Sequence, residues 1–135
     1  MSLYLPFEEA FRYADHADGI VIPVTLQSGE FAHQCFAAVD CGASVCLFSR
    51  EVAELLKIEV ERGEYKRLRT LTGGLEAYGH EISLKALNLV VASTVYFARY
   101  EGLPRNLLGR QGWLRKLNFG LVDQDNLLYA GRYGM

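Results

Sequence analysis

The residues best suited to chemistry stand near the end of the first third of the chain. Phe36-Ala37-Ala38-Val39 is an apolar run that stops at a single carboxylate, Asp40, followed by Cys41, Gly42, Ala43 and Ser44. A strand that delivers an acid into a tight turn of small residues can hold it rigidly in an otherwise apolar cleft. There a carboxylate serves as a general base or, protonated, as a general acid. The plain alternative is a strand-ending turn in which Asp40 caps backbone N–H groups. Other sets of residues carry weaker signals. Cys35, Cys41 and Cys46 cluster near His33, but the Cys41–Cys46 spacing does not fit a zinc knuckle and no fourth ligand stands nearby, so no metal is expected. A cysteine hydrolase using Cys41 or Cys46 would need the fold to bring up His33 or His80, which have no partner at catalytic spacing in the sequence. His16 is equally isolated. Ser44 and Ser49 lack the Gly-x-Ser-x-Gly setting of a nucleophilic serine. Asp123-Gln124-Asp125-Asn126 lacks the third acid, the glycine and the distant glutamate of a calcium loop and reads as a turn.

Those residues need elements to position them. Ile20 to Leu26 is β-rich, with Pro23 fitting an edge position, and Ser28-Gly29 turns the chain into a second strand from Phe31 to Val39. Asp40 therefore leaves a hairpin. Val45 to Phe48 reads as a short strand. Ser49 is an N-cap for a helix from Arg50 to Lys57, with Val52, Leu55 and Leu56 on one face and Glu51, Glu54 and Lys57 placed as its dipole favours. Tyr65 to Leu71 and Ala77 to Leu84 form the arms of a hairpin around Thr72-Gly73-Gly74-Leu75-Glu76, where paired glycines admit positive φ and a mobile tip. Leu87 to Phe97 supplies strand material, Leu103-Pro104-Arg105 a loop, and Arg110 to Arg115 a short helical piece that carries Trp113 and Leu114 inward. Leu117 to Val122 and Leu127 to Tyr129 close the chain as a hairpin. The first eighteen residues admit two readings: helical turns opened by Pro6 with Phe7 and Phe11 on one face, or an extended arm.

The totals narrow the class. A chain of 135 residues, half of them hydrophobic, fits one domain with a genuine core and without disulfide help. Fourteen basic against sixteen acidic residues leave a net charge of -2, which gives no general reason to expect nucleic acid. Lys66-Arg67-Leu68-Arg69 reads as a solvated strand edge. The longest apolar stretch, Ala86 to Ala98, is too short to span a bilayer, and the start lacks the positive region of a secretory signal. Three cysteines, an odd number, are then expected as reduced thiols in a cytoplasmic protein.

In this order, Asp40-Cys41-Gly42-Ala43-Ser44 and the later Asn106-Leu107-Leu108-Gly109-Arg110 resemble the two signatures of the retropepsin-like (retroviral-type) aspartic proteases. Asn106 to Trp113 is similar to the corresponding stretch of bacterial, single-domain members. The resemblance runs from about Ile20 to Tyr129, within one domain spanning residues 1–135. It implies an all-β fold, a small closed acid-protease barrel with one or two short helices, acting as a homodimer. In that family two carboxylates share a proton and activate a water. A chain with one such turn makes the pair only by dimerising, so that Asp40 faces its copy. By the same resemblance Cys41, Gly42, Ala43 and Ser44 form the active-site loop. Thr72, Gly73, Gly74 and Leu75 form a flap over a peptide or protein substrate, while Leu107, Leu108 and Gly109 support the Asp loop. No cofactor is implied, and neither nucleic acid nor membrane is an expected partner. The departure is Cys41, where the family usually has Thr or Ser, whose hydroxyl braces the two loops across the dimer axis. A thiol is a weaker donor and a poorer acceptor. This keeps open a second reading, a non-catalytic domain of the same fold that binds peptides or dimerises.

Overall fold

The structure, a computed structural model, describes residues 1–15, 19–70 and 73–134. Its central feature is a barrel that begins with the expected hairpin. Strand β2 (Val21–Ser28) and β3 (Phe31–Val39) pair antiparallel in continuous register, from Val21 opposite Ala38 to Ser28 opposite Phe31. Along β2 the residues Ile22, Val24 and Leu26 alternate inward and are buried. Pro23 precedes the first pairing of β2 with its other neighbour, at Val24, so its missing N–H interrupts no ladder there.

After the Asp40 turn comes β4 (Cys46–Phe48), which is fully buried, and then helix α1 (Arg50–Leu55). Ser49 caps α1 as expected, its hydroxyl accepting from Val52 N–H at 3.3 Å. The helix is shorter than its sequence pattern indicates. Lys57 has φ 60 and lies in the turn beyond it, and the buried face is Val52, Ala53 and Leu56, while Leu55 is exposed. A short 3-10 turn, Val60–Arg62, leads into β5 (Glu64–Thr70).

Strands β5 and β6 (Gly73–Ala86) form the glycine-tipped hairpin. Gly73 and Gly74 belong to the strand, with Gly73 opposite Thr70, so the paired arms reach further than the sequence indicates. Leu71 and Thr72 lie outside the described residues. From Ala77 onward β6 also pairs with β7 (Leu89–Ala98) along its whole length. The strand expected from Leu87 starts two residues later because Leu87 and Asn88 are a two-residue turn, with φ of 53 and 62. Positive φ at both centres matches the twist of the flanking strands, and Asn tolerates that region.

A strand absent from the sequence reading, β8 (Asn106–Leu108), then slots between β3 and β4, parallel to the first and antiparallel to the second. The order β2-β3-β8-β4-β7-β6 closes by pairing β6 with β2, giving a six-stranded barrel with β5 appended as an edge. That edge strand carries Lys66, Arg67 and Arg69, charges that discourage further pairing.

The chain ends make a second sheet. Residues 9–12, for which helix and extended arm were both open, form β1 (Glu9–Arg12). It pairs with β10 (Leu127–Arg132), and β10 with β9 (Leu117–Val122). Before β9 the expected helical piece at 110–115 is instead a turn followed by a 3-10 segment, Leu114–Lys116. Trp113 is nevertheless buried, edge-on to Phe119, and Leu114 packs against the core. Between β9 and β10, residues Asp123–Asp125 form a 3-10 turn closed by Asn126 at φ 54. Both sheets feed one core, which joins Ile22, Phe48, Val95 and Phe97 of the barrel to Leu117, Leu128 and Ala130. No helix among the described residues is long and apolar enough to cross a membrane.

Candidate active site

The Asp loop is built by β3 running out of antiparallel partners. At Val39 the strand is held by Ile20, whose carbonyl accepts the Val39 N–H at 2.8 Å. One residue on, the Asp40 N–H donates to the Leu108 carbonyl at 2.9 Å. The chain then turns back, with Ala43 N–H bonded to the Asp40 carbonyl at 3.2 Å. The segment after β8 binds the far side of the turn: Arg110 N–H donates to Ala43 O and Gln111 N–H to Ser44 O, each at 2.9 Å. Leu108 and Gly109 thus lie directly against the Asp40–Ser44 turn, while Leu107 pairs with Ala38 before it and Leu47 after it. Gly109 is needed there because a Cβ would sit 2.1 Å from the Val45 carbonyl oxygen and 2.8 Å from that of Ala43.

Asp40 is partly exposed. Its Oδ1 accepts the Gly42 N–H at 2.9 Å, the contact required by the plain turn reading. No hydrogen bond to Oδ2 is found among the described residues. Cys41 and Gly42 are exposed on the loop, Ala43 is half-buried and Ser44 is exposed.

The hairpin and the loop meet in a small apolar cluster. Val45, Leu47, Ala77 and Tyr96 form its buried centre, with Leu68 and Leu75 from the hairpin and Leu103 and Leu107 from the other side packed on it. Of the expected flap residues, Leu75 is therefore in the same cluster as the Asp-loop support, while Gly73 and Gly74 are exposed beyond it. Thr72 lies outside the described residues. Between the hairpin and the segment 100–104 lies a cavity of about 270 Å³, lined by Arg67, Gly74, Leu75, Tyr100, Leu103 and Pro104.

Asn106, at the head of the Asn-Leu-Leu-Gly-Arg motif, makes two hydrogen bonds. Its amide Nδ2 donates to the Phe36 carbonyl at 3.0 Å, and its Oδ1 accepts the Ser49 N–H at 3.0 Å. One side chain thus ties the strand before Asp40 to the cap of α1. An Asn beside the apolar-apolar-glycine run was the only visible signal.

The cysteines divide by environment. Burial pushes the thiols of Cys35 and Cys46 up to about 11. Cys46 Sγ also accepts the Gly109 N–H at 3.4 Å, so it fills space under the Asp loop as a neutral thiol. His80 Nε2 is engaged with the Val60 carbonyl at 2.9 Å, its ring against Phe97, and neither it nor His33 is hydrogen-bonded to a cysteine. All three cysteines are free.

No protein-family model matches the sequence, and no curated protein does. Among solved structures the chain is similar to the EIAV protease complexed with the inhibitor HBY-793. The TM-score is 0.55 at 15% sequence identity, covering 72% of this chain and 86% of that one. The class so defined is the retropepsin-like fold, here a mostly-β chain with a closed six-stranded barrel.

Proposed function

We propose that the chain is an aspartic endopeptidase that works as a homodimer, Asp40 of each copy meeting its symmetry mate across a two-fold axis. The observation that carries this reading is the Asp loop. A carboxylate leaves β3 in a retropepsin-like barrel, its N–H bonded to Leu108 and its turn clasped by the segment after Gly109. Two such carboxylates brought close share one proton. The ionised one takes a proton from water as the water oxygen attacks the scissile carbonyl carbon. The protonated one gives its proton to the carbonyl oxygen, forming a tetrahedral diol. Collapse of the diol breaks the C–N bond, with a proton passing to the leaving nitrogen.

Substrate lies extended beneath the β5–β6 hairpin, pairing with its backbone as an added strand. Thr72, Gly73, Gly74 and Leu75 are the flap, Gly42 admits the substrate backbone, and Cys41, Ala43 and Ser44 complete the loop. Residues 1–135 act as one domain. The affiliation with bacterial single-domain members rests on Asn106 to Trp113, and three free cysteines fit a reducing cytoplasm. Cys41 favours one rival: a domain of the same fold that binds peptides without cleaving them, because its loop brace is weakened.

The test is hydrolysis of a peptide library together with sedimentation. Dimer and cleavage are expected, with Asp40→Asn folding normally and losing at least about 10²-fold in rate. Cleavage that survives the substitution, or a strict monomer at every concentration, defeats the proposal.

A further inference from the structure

The β5–β6 hairpin separates from the barrel at one place. Ala77 opposite Ala98 is the last pair of the β6–β7 ladder, and beyond it Gly73–Glu76 has only β5 beside it. At that fork the backbone N–H of Arg99 donates to the Glu76 carbonyl at 2.9 Å, and the Arg99 guanidinium pairs with Glu76 Oε2 at 3.1 Å. The other oxygen of Glu76 accepts the Tyr65 hydroxyl at 3.0 Å from across the hairpin. Arg99 is held from behind as well. Its carbonyl accepts Arg50 Nη1 at 2.7 Å, and Arg50 is itself fixed by Glu61 at 2.6 and 2.9 Å and by Glu54 at 3.2 Å.

Arg50 is the first residue of α1, next to Ser49, which Asn106 ties to the strand before Asp40. A continuous polar path therefore runs from the hairpin fork, through Arg99 and Arg50, to the base of the Asp loop. The hairpin's own cations, Lys66, Arg67 and Arg69, make no ion pair among the described residues. The Glu76–Arg99 contact is the point at which side chains of the hairpin grip the segment leading to Leu103 and Pro104.

We propose that Arg99 and Glu76 form a latch that sets the resting position of the hairpin, making both positioning residues for substrate entry. This rests on the reading of the hairpin as a flap over the cleft, but not on the chemistry at Asp40. With the latch broken, the segment 73–76 keeps the Arg99–Glu76 backbone bond and the packing of Leu75 but loses its side-chain ion pair to the body, and it moves more freely about the fork. Substrate must then restrain it on binding. The cost falls on KM more than on kcat.

The experiment compares Glu76→Gln, which keeps an acceptor for Tyr65, with Arg99→Met, which keeps the packed stem, and with Arg99→Lys. Amide exchange is read at residues 73–76 and across the barrel. Exchange at 73–76 is expected to quicken about two- to fivefold, the range a partly exposed ion pair supports, while the barrel ladders stay unchanged. KM for a cleaved peptide should rise by a similar factor with kcat within about twofold, and Arg99→Lys should recover part of both effects. Unchanged exchange at 73–76 overturns the latch, as does uniform loosening of the whole barrel. If no peptide is cleaved by the parent chain, the aspartic protease reading fails while the exchange measurement still decides the latch.

Discussion

Gly109→Ala is the sharpest single perturbation of the site. The added methyl would stand 2.1 Å from the Val45 carbonyl oxygen, 2.6 Å from its carbon and 2.8 Å from the Ala43 oxygen. An ordinary carbon-to-oxygen contact is about 3.3–3.6 Å, so roughly 1 Å of separation has to be gained. All three atoms are backbone, so no flexible side chain can swing aside. Opening the gap strains the bonds from Arg110 and Gln111 to Ala43 and Ser44. Overpacking typically costs about 1–3 kcal/mol, and with backbone on both sides this case belongs at the top of that range, about 3 kcal/mol. For a chain of this size that lowers Tm by about 10 °C. Gly42→Ala is the internal control, since its Cβ meets only Asp40 Oδ1, at 3.2 Å, and should cost less than about 1 kcal/mol. Urea denaturation of both variants supplies the comparison. Equal midpoints, or a Gly109→Ala loss under about 1 kcal/mol, would show that this segment does not clasp the Asp loop as described.

Two further outcomes follow from the environments of titratable groups. A thiol held at about 11 is only about 0.1 % thiolate at pH 8, so iodoacetamide at that pH should modify the exposed Cys41 and spare Cys35 and Cys46 in the folded chain. Peptide mapping that finds all three modified at one rate would contradict their burial. Tyr13 is buried, and desolvation, followed by its hydrogen bond to Asp123, pushes it up to about 12 from 10.0. Because the folded value is the higher one, its contribution is whole below pH 10 and disappears as pH rises through about 12. Tyr13→Phe should therefore flatten the loss of stability over that alkaline interval. Identical declines in urea midpoint for parent and variant would refute the assignment.

What could be read in the sequence was what depends on neighbours in the chain. The β2–β3 hairpin, the Ser49 cap, the Asp40 turn and the glycine hairpin all announce themselves through alternation, a capping residue or a turn residue. Strand β8 did not, because three residues show no period and its pairing with β3 is with residues far away in sequence. The short helix expected at 110–115 failed at Gly112. A Cβ there would meet Cys46 Sγ at 2.8 Å and Ser93 Oγ at 2.9 Å, so packing against the barrel dictates the local backbone. Leu87 gave no sign of its left-handed conformation, which the two-residue turn imposes and Asn88 eases. At the site, Asp40 and its supporting run could be found by motif. The bridging role of Asn106 and the grip of Arg99 on Glu76 required the fold, since each joins segments that are distant in sequence.

The terminal sheet also sets a timetable for assembly. Glu9 pairs with Ala130 and Arg12 with Leu127, so β1 has no mate until residues 127–132 have been made more than a hundred residues later. Phe7 rests on Tyr129 and fits over Gly120, where a Cβ would stand 2.7 Å from its ring. Until β10 has been made, Phe7 and Phe11 lack the strand that covers them, and the growing chain carries an open β edge. This sheet closes after the barrel strands have been made, and the interval before it closes is when aggregation or capture by a chaperone has its opportunity.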